Sequence, residues 1–173
     1  SSDLATVVGN ITITKNITDN AGTESFGNIG ADVTLNGTAL GSTTVTRKTG
    51  TASSGNGNSS INRYFDISAT TNTGLNAGLI FHYDDSELNS QSESSLELYK
   101  STDGGTTWAS KGGTVNTTAN TITITGVAGF SRWTASDTSH PLGTTSTPTI
   151  TSISPTSKTA GESGFTLTVN GSN

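Results

Sequence analysis

The sequence predicts an all-β fold: an antiparallel β-sandwich, immunoglobulin-like or jelly-roll-like, with a C-terminal two-strand extension. Three observations carry this. Apolar and polar residues alternate with period two in segment after segment, as they do on half-buried strands. These segments recur at short spacing with Gly-, Asn- and Asp-rich turns between them. No segment keeps a helical period over two turns. The hydrophobic fraction is only 29%, close to that of disordered chains. Alternation decides between the two states, because a disordered chain has no reason to alternate. The expectation is a folded protein with a thin core.

In order, Leu4 to Thr18 is β-branched and alternating, with Ile11, Ile13 and Ile17 on one face. DNAGTESFGNIG reads as a loop. ADVTLNG gives a short strand with Val33 and Leu35 on one face, and Asn36-Gly37 signals a hairpin turn. GSTTVTRKTG is a Thr-rich strand of edge type, and TASSGNGNSS a flexible, low-complexity loop. Ile61 to Trp108 organises the rest. It holds most of the aromatic residues and reads as three consecutive strands. In INRYFDIS, Ile61, Arg63, Phe65 and Ile67 alternate with Asn62, Tyr64, Asp66 and Ser68; Phe65 and Ile67 are core candidates. LIFHY places Leu79, Phe81 and Tyr83 on one face and Ile80 and His82 on the other, which suits a central strand. SSLELYKS points Leu96 and Leu98 inward, Glu97 and Tyr99 outward. NTITITG buries Ile122 and Ile124, and GFSRWTAS closes the domain with Phe130 and Trp133.

This divides the chain into a sandwich domain over 1–136, a linker over 137–148 and a pair of strands within 149–173. The linker follows from its composition, DTSHPLGTTSTP. Two strands alone are marginal in water. The tail therefore needs a partner for Ile150, Ile153, Phe165, Leu167 and Val169, either within this chain or on a neighbouring copy reached by β-strand addition.

Charge and composition exclude several functions. The net charge is −5, with eight Lys and Arg scattered against thirteen Asp and Glu, so no basic stripe exists to pair with nucleic-acid phosphates. No apolar run is long enough for a membrane-spanning helix. Cys and Met are both missing, which rules out disulfides and thiolate metal sites and suits an exposed, extracellular life. The chain opens at Ser1 with no leader in view, as a processed or internal piece would. Six Asn-x-Ser/Thr sequons occur, at Asn10, Asn16, Asn36, Asn58, Asn116 and Asn170. In a chain so rich in these residues, chance accounts for most of them.

Three groups of residues are candidates for chemistry. Asp84, Asp85 and Glu87 crowd one connection, and an oxygen-rich loop of this kind is a candidate Ca²⁺ site against the plainer reading of a solvated acidic loop. Tyr64, Tyr99 and Trp108 are candidates for stacking on the apolar face of a glycan, against packing in the core. Ser101, Asp103, Gly105, Thr107 and Trp108 fit S-x-D-x-G-x-T-W, a turn in which a carboxylate takes up backbone N–H groups and Gly supplies a positive φ. His82 and His140 stand at no metal-ligand spacing, and no G-x-S-x-G elbow or phosphate loop is present, so the sequence supports no enzyme.

The S-x-D-x-G-x-T-W turn resembles the Asp-box of sialidases and related β-propellers, where it is structural. It occurs once here, whereas a propeller repeats it. GSTTVTRKTGTA, RYFDISATTNTGLNAGLIFHYDDSELN, LELYKSTDGGTTW and GFSRWT together resemble a β-sandwich module of large secreted surface proteins of Bacteroidetes and related bacteria. PTITSISPTSKTAGESGFTLTVNGSN resembles the opening of a TIG/IPT immunoglobulin-like domain. These resemblances imply an exported, cell-surface bacterial protein without catalysis. The expected function is a structural module of a fibre, stalk or adhesin, self-associating or joined to neighbouring domains of its own polypeptide. The alternative is a carbohydrate-binding accessory module of a secreted enzyme.

Overall fold

The computed structural model describes residues 8–143, 149–161 and 163–172. One sheet takes, side by side, β1 (Gly9–Ile17), β4 (Gly41–Thr49), β7 (Arg63–Ala69), β13 (Arg132–Asp137), β9 (Leu96–Ser101) and β10 (Ala109–Gly112). The other takes β11 (Thr114–Asn116), β12 (Thr121–Val127), β8 (Ala77–His82), β3 (Ala31–Asn36) and β2 (Ala21–Ser25). A small hairpin joins β5 (Ser54–Gly55) to β6 (Asn58–Ser59), and a C-terminal hairpin joins β14 (Thr149–Ser154) to β15 (Thr168–Ser172). Every ladder is antiparallel. The protein is a β-sandwich with a two-strand extension, as the alternation predicts.

The core lies between the two sheets. Val45, Phe65, Ile67, Leu96, Leu98, Trp133 and Ala135 face Val33, Leu35, Leu79, Phe81 and Ile122. Period-two alternation puts these residues on one side of each strand, and the sheets close on that side to remove it from water. Phe65 and Phe81 meet edge to face across the interface, their centroids 5.0 Å apart. β8 is the middle strand of its sheet, in keeping with the bulk on both its faces. Ile124 and the first-strand residues Ile11 and Ile13 are only half-buried, packing against the rim. Residues 4–7 of the first alternating segment lie outside the described residues.

Four local expectations need correction. β4 is not an edge strand; it lies between β1 and β7. Its Thr43, Val45, Arg47 and Thr49 are all buried, and β-branched Thr serves an interior strand as well as an edge. DNAGTESFGNIG is not all loop: it contains β2, and its remaining part sends Phe26 and Ile29 into the core. TASSGNGNSS is an ordered flap. Asn56 and Gly57, with φ of 50° and 78°, form its two-residue turn, the geometry that favours Asn-Gly in hairpins. Lastly, the sandwich runs past Ser136: Asp137 and Leu142 are buried, and Pro141 accepts the side-chain amide of Asn58 at 2.9 Å. The remainder of the linker segment, residues 144–148, lies outside the described residues.

The flap and the chain after β13 together cover the outer side of the first sheet at one end. Beneath them Tyr99, Trp108 and Leu142 form a second, small core. Trp108 Nε1 donates to the Ser54 carbonyl at 3.1 Å, giving the indole a partner for its one polar atom. The packing is close enough that a Cβ on Gly55 would stand 2.3 Å from the Leu142 carbonyl oxygen.

Candidate functional site

The acidic connection after β8 is a structural staple. Glu87 turns inward to Arg63 on β7, with Nε 2.8 Å from Oε2 and Nη2 3.0 Å from Oε1, and both side chains are buried. Arg63 also donates from Nη1 to the His82 carbonyl at 2.8 Å. Burial draws the guanidinium down and pushes the Glu87 carboxyl up, each against the pull of its partner. Asp84 caps the short 3₁₀ turn Asp85–Glu87, accepting the Ser86 N–H at 3.0 Å and the Ser86 hydroxyl. That hydroxyl is the main reason its carboxyl lies below the ordinary range. Asp85 accepts the Asn120 amide at 2.7 Å. The Ca²⁺ expectation for Asp84, Asp85 and Glu87 is thus corrected. The carboxylates diverge to three different partners, and no group of three or more metal-ligating side chains converges among the described residues.

The histidines pair with single carboxylates. His82 Nε2 lies 3.1 Å from Asp32 Oδ2, and His140 Nδ1 lies 2.8 Å from Asp137 Oδ1. The His82 hydrogen bond holds the Asp32 carboxyl below its ordinary value. Asp137 ties off the last strand. It accepts the backbone N–H groups of Ser92, Ser139 and His140; burial pushes its carboxyl up, but the Ser92 N–H, the His140 imidazole and the Ser139 N–H together hold it below its ordinary value. The first pair links the neighbouring strands β3 and β8, and the second braces the turn after β13.

The turn over Ser101–Trp108 is built around Asp103. Its Oδ1 accepts the N–H groups of Thr106 at 3.1 Å and Thr107 at 2.9 Å, and Oδ2 accepts the Thr107 hydroxyl at 2.6 Å. The Ser101 hydroxyl donates to Asp103 Oδ1 at 2.7 Å while accepting the Gly105 N–H at 2.7 Å. Gly104 and Gly105 take φ of 74° and 100°. The Thr107 hydroxyl is the first cause holding the Asp103 carboxyl well below the usual carboxylate range.

Of the three aromatics singled out for glycan stacking, Tyr99 and Trp108 are buried in the small core. They have no free face, which corrects that expectation for both. The Tyr99 hydroxyl is bonded to Glu97 at 2.5 Å. Tyr64 stays half-exposed on the outer face of the first sheet, with the Arg132 guanidinium 4.3 Å from its ring centroid. Arg132 in turn grips Asp66 through two 2.7 Å contacts. The sequence reading missed this pair. Its members stand 66 positions apart and face each other only because β13 joins the sheet beside β7. The available signal was that Asp66 and Arg132 both fall on outward positions of their strands.

The tail residues Ile150, Ile153, Phe165, Leu167 and Val169 belong to the C-terminal hairpin and its connection, with Ile153 directly opposite Val169. All five lie between 46% and 65% exposed, whereas among the described residues of the sandwich Val8 is the one exposed large apolar residue.

These features define an all-β sandwich followed by a two-strand hairpin, an architecture consistent with structural or adhesive modules. The chain matches no protein-family model, no curated protein and no solved structure.

Proposed function

We propose that this chain is an extracellular structural module of a bacterial surface fibre, stalk or adhesin, joined to its neighbour through the C-terminal hairpin. The observation that carries this reading is the exposure of the large apolar residues of that hairpin and its connection. The hairpin and its connection expose Ile150, Ile153, Phe165, Leu167 and Val169. Burying those five side chains is worth roughly 1.5–3 kcal/mol each before the cost of ordering. Further strands from a neighbouring module satisfy both the apolar residues and the open backbone edges.

The sandwich itself supports the same division of labour, because its edges are blunted. β10, β11 and β2 are short. On the long edge strand β1, Lys15 points inward to Glu24 on β2 at 2.5 Å, a charge placement that discourages pairing with foreign strands. Assembly is therefore assigned to the hairpin. The chemistry of the loops fits a passive, rigid unit, and the missing Cys and Met suit an oxidising exterior.

The test compares the full chain with a version ending at Thr147 by electron microscopy and light scattering across concentration. Fibres or oligomers that vanish on deletion support hairpin-mediated assembly. Monomers in both samples at all concentrations overturn assembly between copies and leave a spacer within one polypeptide.

A further inference from the structure

The outer face of the first sheet carries an ordered polar array. The strand register sets Thr46 opposite Asp66 and Thr44 opposite Ser68, with Arg132 opposite Asp66 on the other side. Thr46 and Thr44 are each fixed by a neighbour on β1, the hydroxyls of Thr12 and Thr14 lying 2.9 and 2.8 Å away. Arg132 holds both oxygens of Asp66 and also donates to the Gly104 carbonyl, so the tight turn built on Asp103 leans over the sheet. Between the overhang and the strands lies a cleft of about 220 Å³, lined by Thr44, Thr46, Asp66, Ser68, Ser131 and Arg132. Tyr64 supports the guanidinium from outside this lining.

We infer that this cleft binds one neutral sugar ring through adjacent hydroxyl groups. Charge argues for a neutral ligand, since the only carboxylate and the only guanidinium in the lining compensate each other. Hydrogen-bond capacity argues for hydroxyls. A carboxylate offers about four acceptor sites, and Arg132 takes one on each oxygen of Asp66. With its side chain 42% exposed, Asp66 keeps one further acceptor site on each oxygen, directed away from the guanidinium, for the hydroxyls of a ligand. Thr46, Thr44 and Ser68 add groups that both give and accept. Size argues for a single ring: 220 Å³ falls below the ~300–1,000 Å³ of sites for drug-sized ligands. Finally, every polar side chain named in the lining except Ser131, which precedes β13 by one residue, stands on a strand, so little ordering is needed on binding.

The experiment is a ¹⁵N–¹H titration of the full chain with the methyl glycosides of glucose, galactose, mannose and N-acetylglucosamine, followed by amide shifts. At least one glycoside is expected to move the amides of Thr46, Asp66, Ser68 and Arg132, with a dissociation constant on the order of millimolar for so few contacts. Asp66→Asn is expected to weaken that binding at least tenfold. Ser68→Trp and Thr46→Tyr fill the cleft from outward positions, leave the ion pair in place, and are expected to abolish it. The inference is overturned if no glycoside moves these amides, if the shifts fall elsewhere, or if the two filled variants titrate like the parent. The cleft lies wholly within the sandwich, so the same titration on the chain ending at Thr147 separates this outcome from that of hairpin assembly.

Discussion

Removing one member of the buried Arg63–Glu87 pair tests whether the acidic loop is a structural staple. In Glu87→Ala the guanidinium keeps its bond to the His82 carbonyl but loses both carboxylate contacts. It cannot reach water without displacing the loop, because both side chains are almost wholly buried. The Asp84 N–H also loses its acceptor, Glu87 Oε2 at 2.9 Å. Breaking a buried pair in this way costs about 3–5 kcal/mol, a large share of the 5–15 kcal/mol that holds a typical domain. Urea unfolding followed by Trp fluorescence gives the value directly, since Trp133 lies in the same core. The double variant Arg63→Met/Glu87→Leu removes both charges. It is expected to recover most of the loss, as apolar replacements of buried ion pairs do. A cost below about 1 kcal/mol for Glu87→Ala would refute the staple, because that is the worth of an exposed pair. Added Ca²⁺ is expected to leave the midpoint of the parent unchanged.

Two further outcomes follow from the turn and the flap. Asp103 has a depressed folded-state carboxyl, so its contribution is fully present above the unfolded value of about 3.9 and fades as pH falls toward the folded value. Asp103→Asn is expected to be less stable than the parent at neutral pH, with the gap narrowing below pH ~4 in thermal melts; a gap independent of pH contradicts the assignment. Gly55→Ala forces a Cβ to within 2.3 Å of the Leu142 carbonyl and 2.7 Å of Trp108. An overpacking loss of about 1–3 kcal/mol is expected, with a change in Trp emission as the flap lifts. Gly57→Ala, whose Cβ meets nothing, is the control. It bears only the left-handed backbone cost of about 1–2 kcal/mol and is expected to leave the emission unchanged.

Period two was enough to place the core. Phe65, Ile67, Leu79, Phe81, Leu96, Leu98 and Trp133 all read as inward and all are buried. Alternation fails where burial comes from above the sheet. Tyr99 points outward from its strand as expected, yet the flap and Leu142 cover it. TASSGNGNSS looks flexible because Gly, Asn and Ser dominate it. Those residues are there because the flap needs Gly55 for close approach and Asn56-Gly57 for its turn. Composition records small, polar residues and cannot distinguish a loop that lacks contacts from one that needs small residues to make them. The acidic connection misleads for a related reason. Charge density suggested an ion, whereas the partner of Glu87 is an arginine 24 residues earlier.

The Asp66–Arg132 cleft was hidden for a stricter reason. Its residues come from β4, β7, β13 and the Asp103 turn, and only strand order brings them together. Period two shows which residues face outward but not which strands adjoin. Here β13 enters between β7 and β9, separating strands that follow one another more closely in sequence. That insertion gives Asp66 a guanidinium neighbour and places the turn after β9 where Arg132 reaches Gly104. A chain with the same alternation and a different strand order would keep its core and lose the cleft. The core is thus a property of each strand's own pattern, and the candidate binding face is a property of topology.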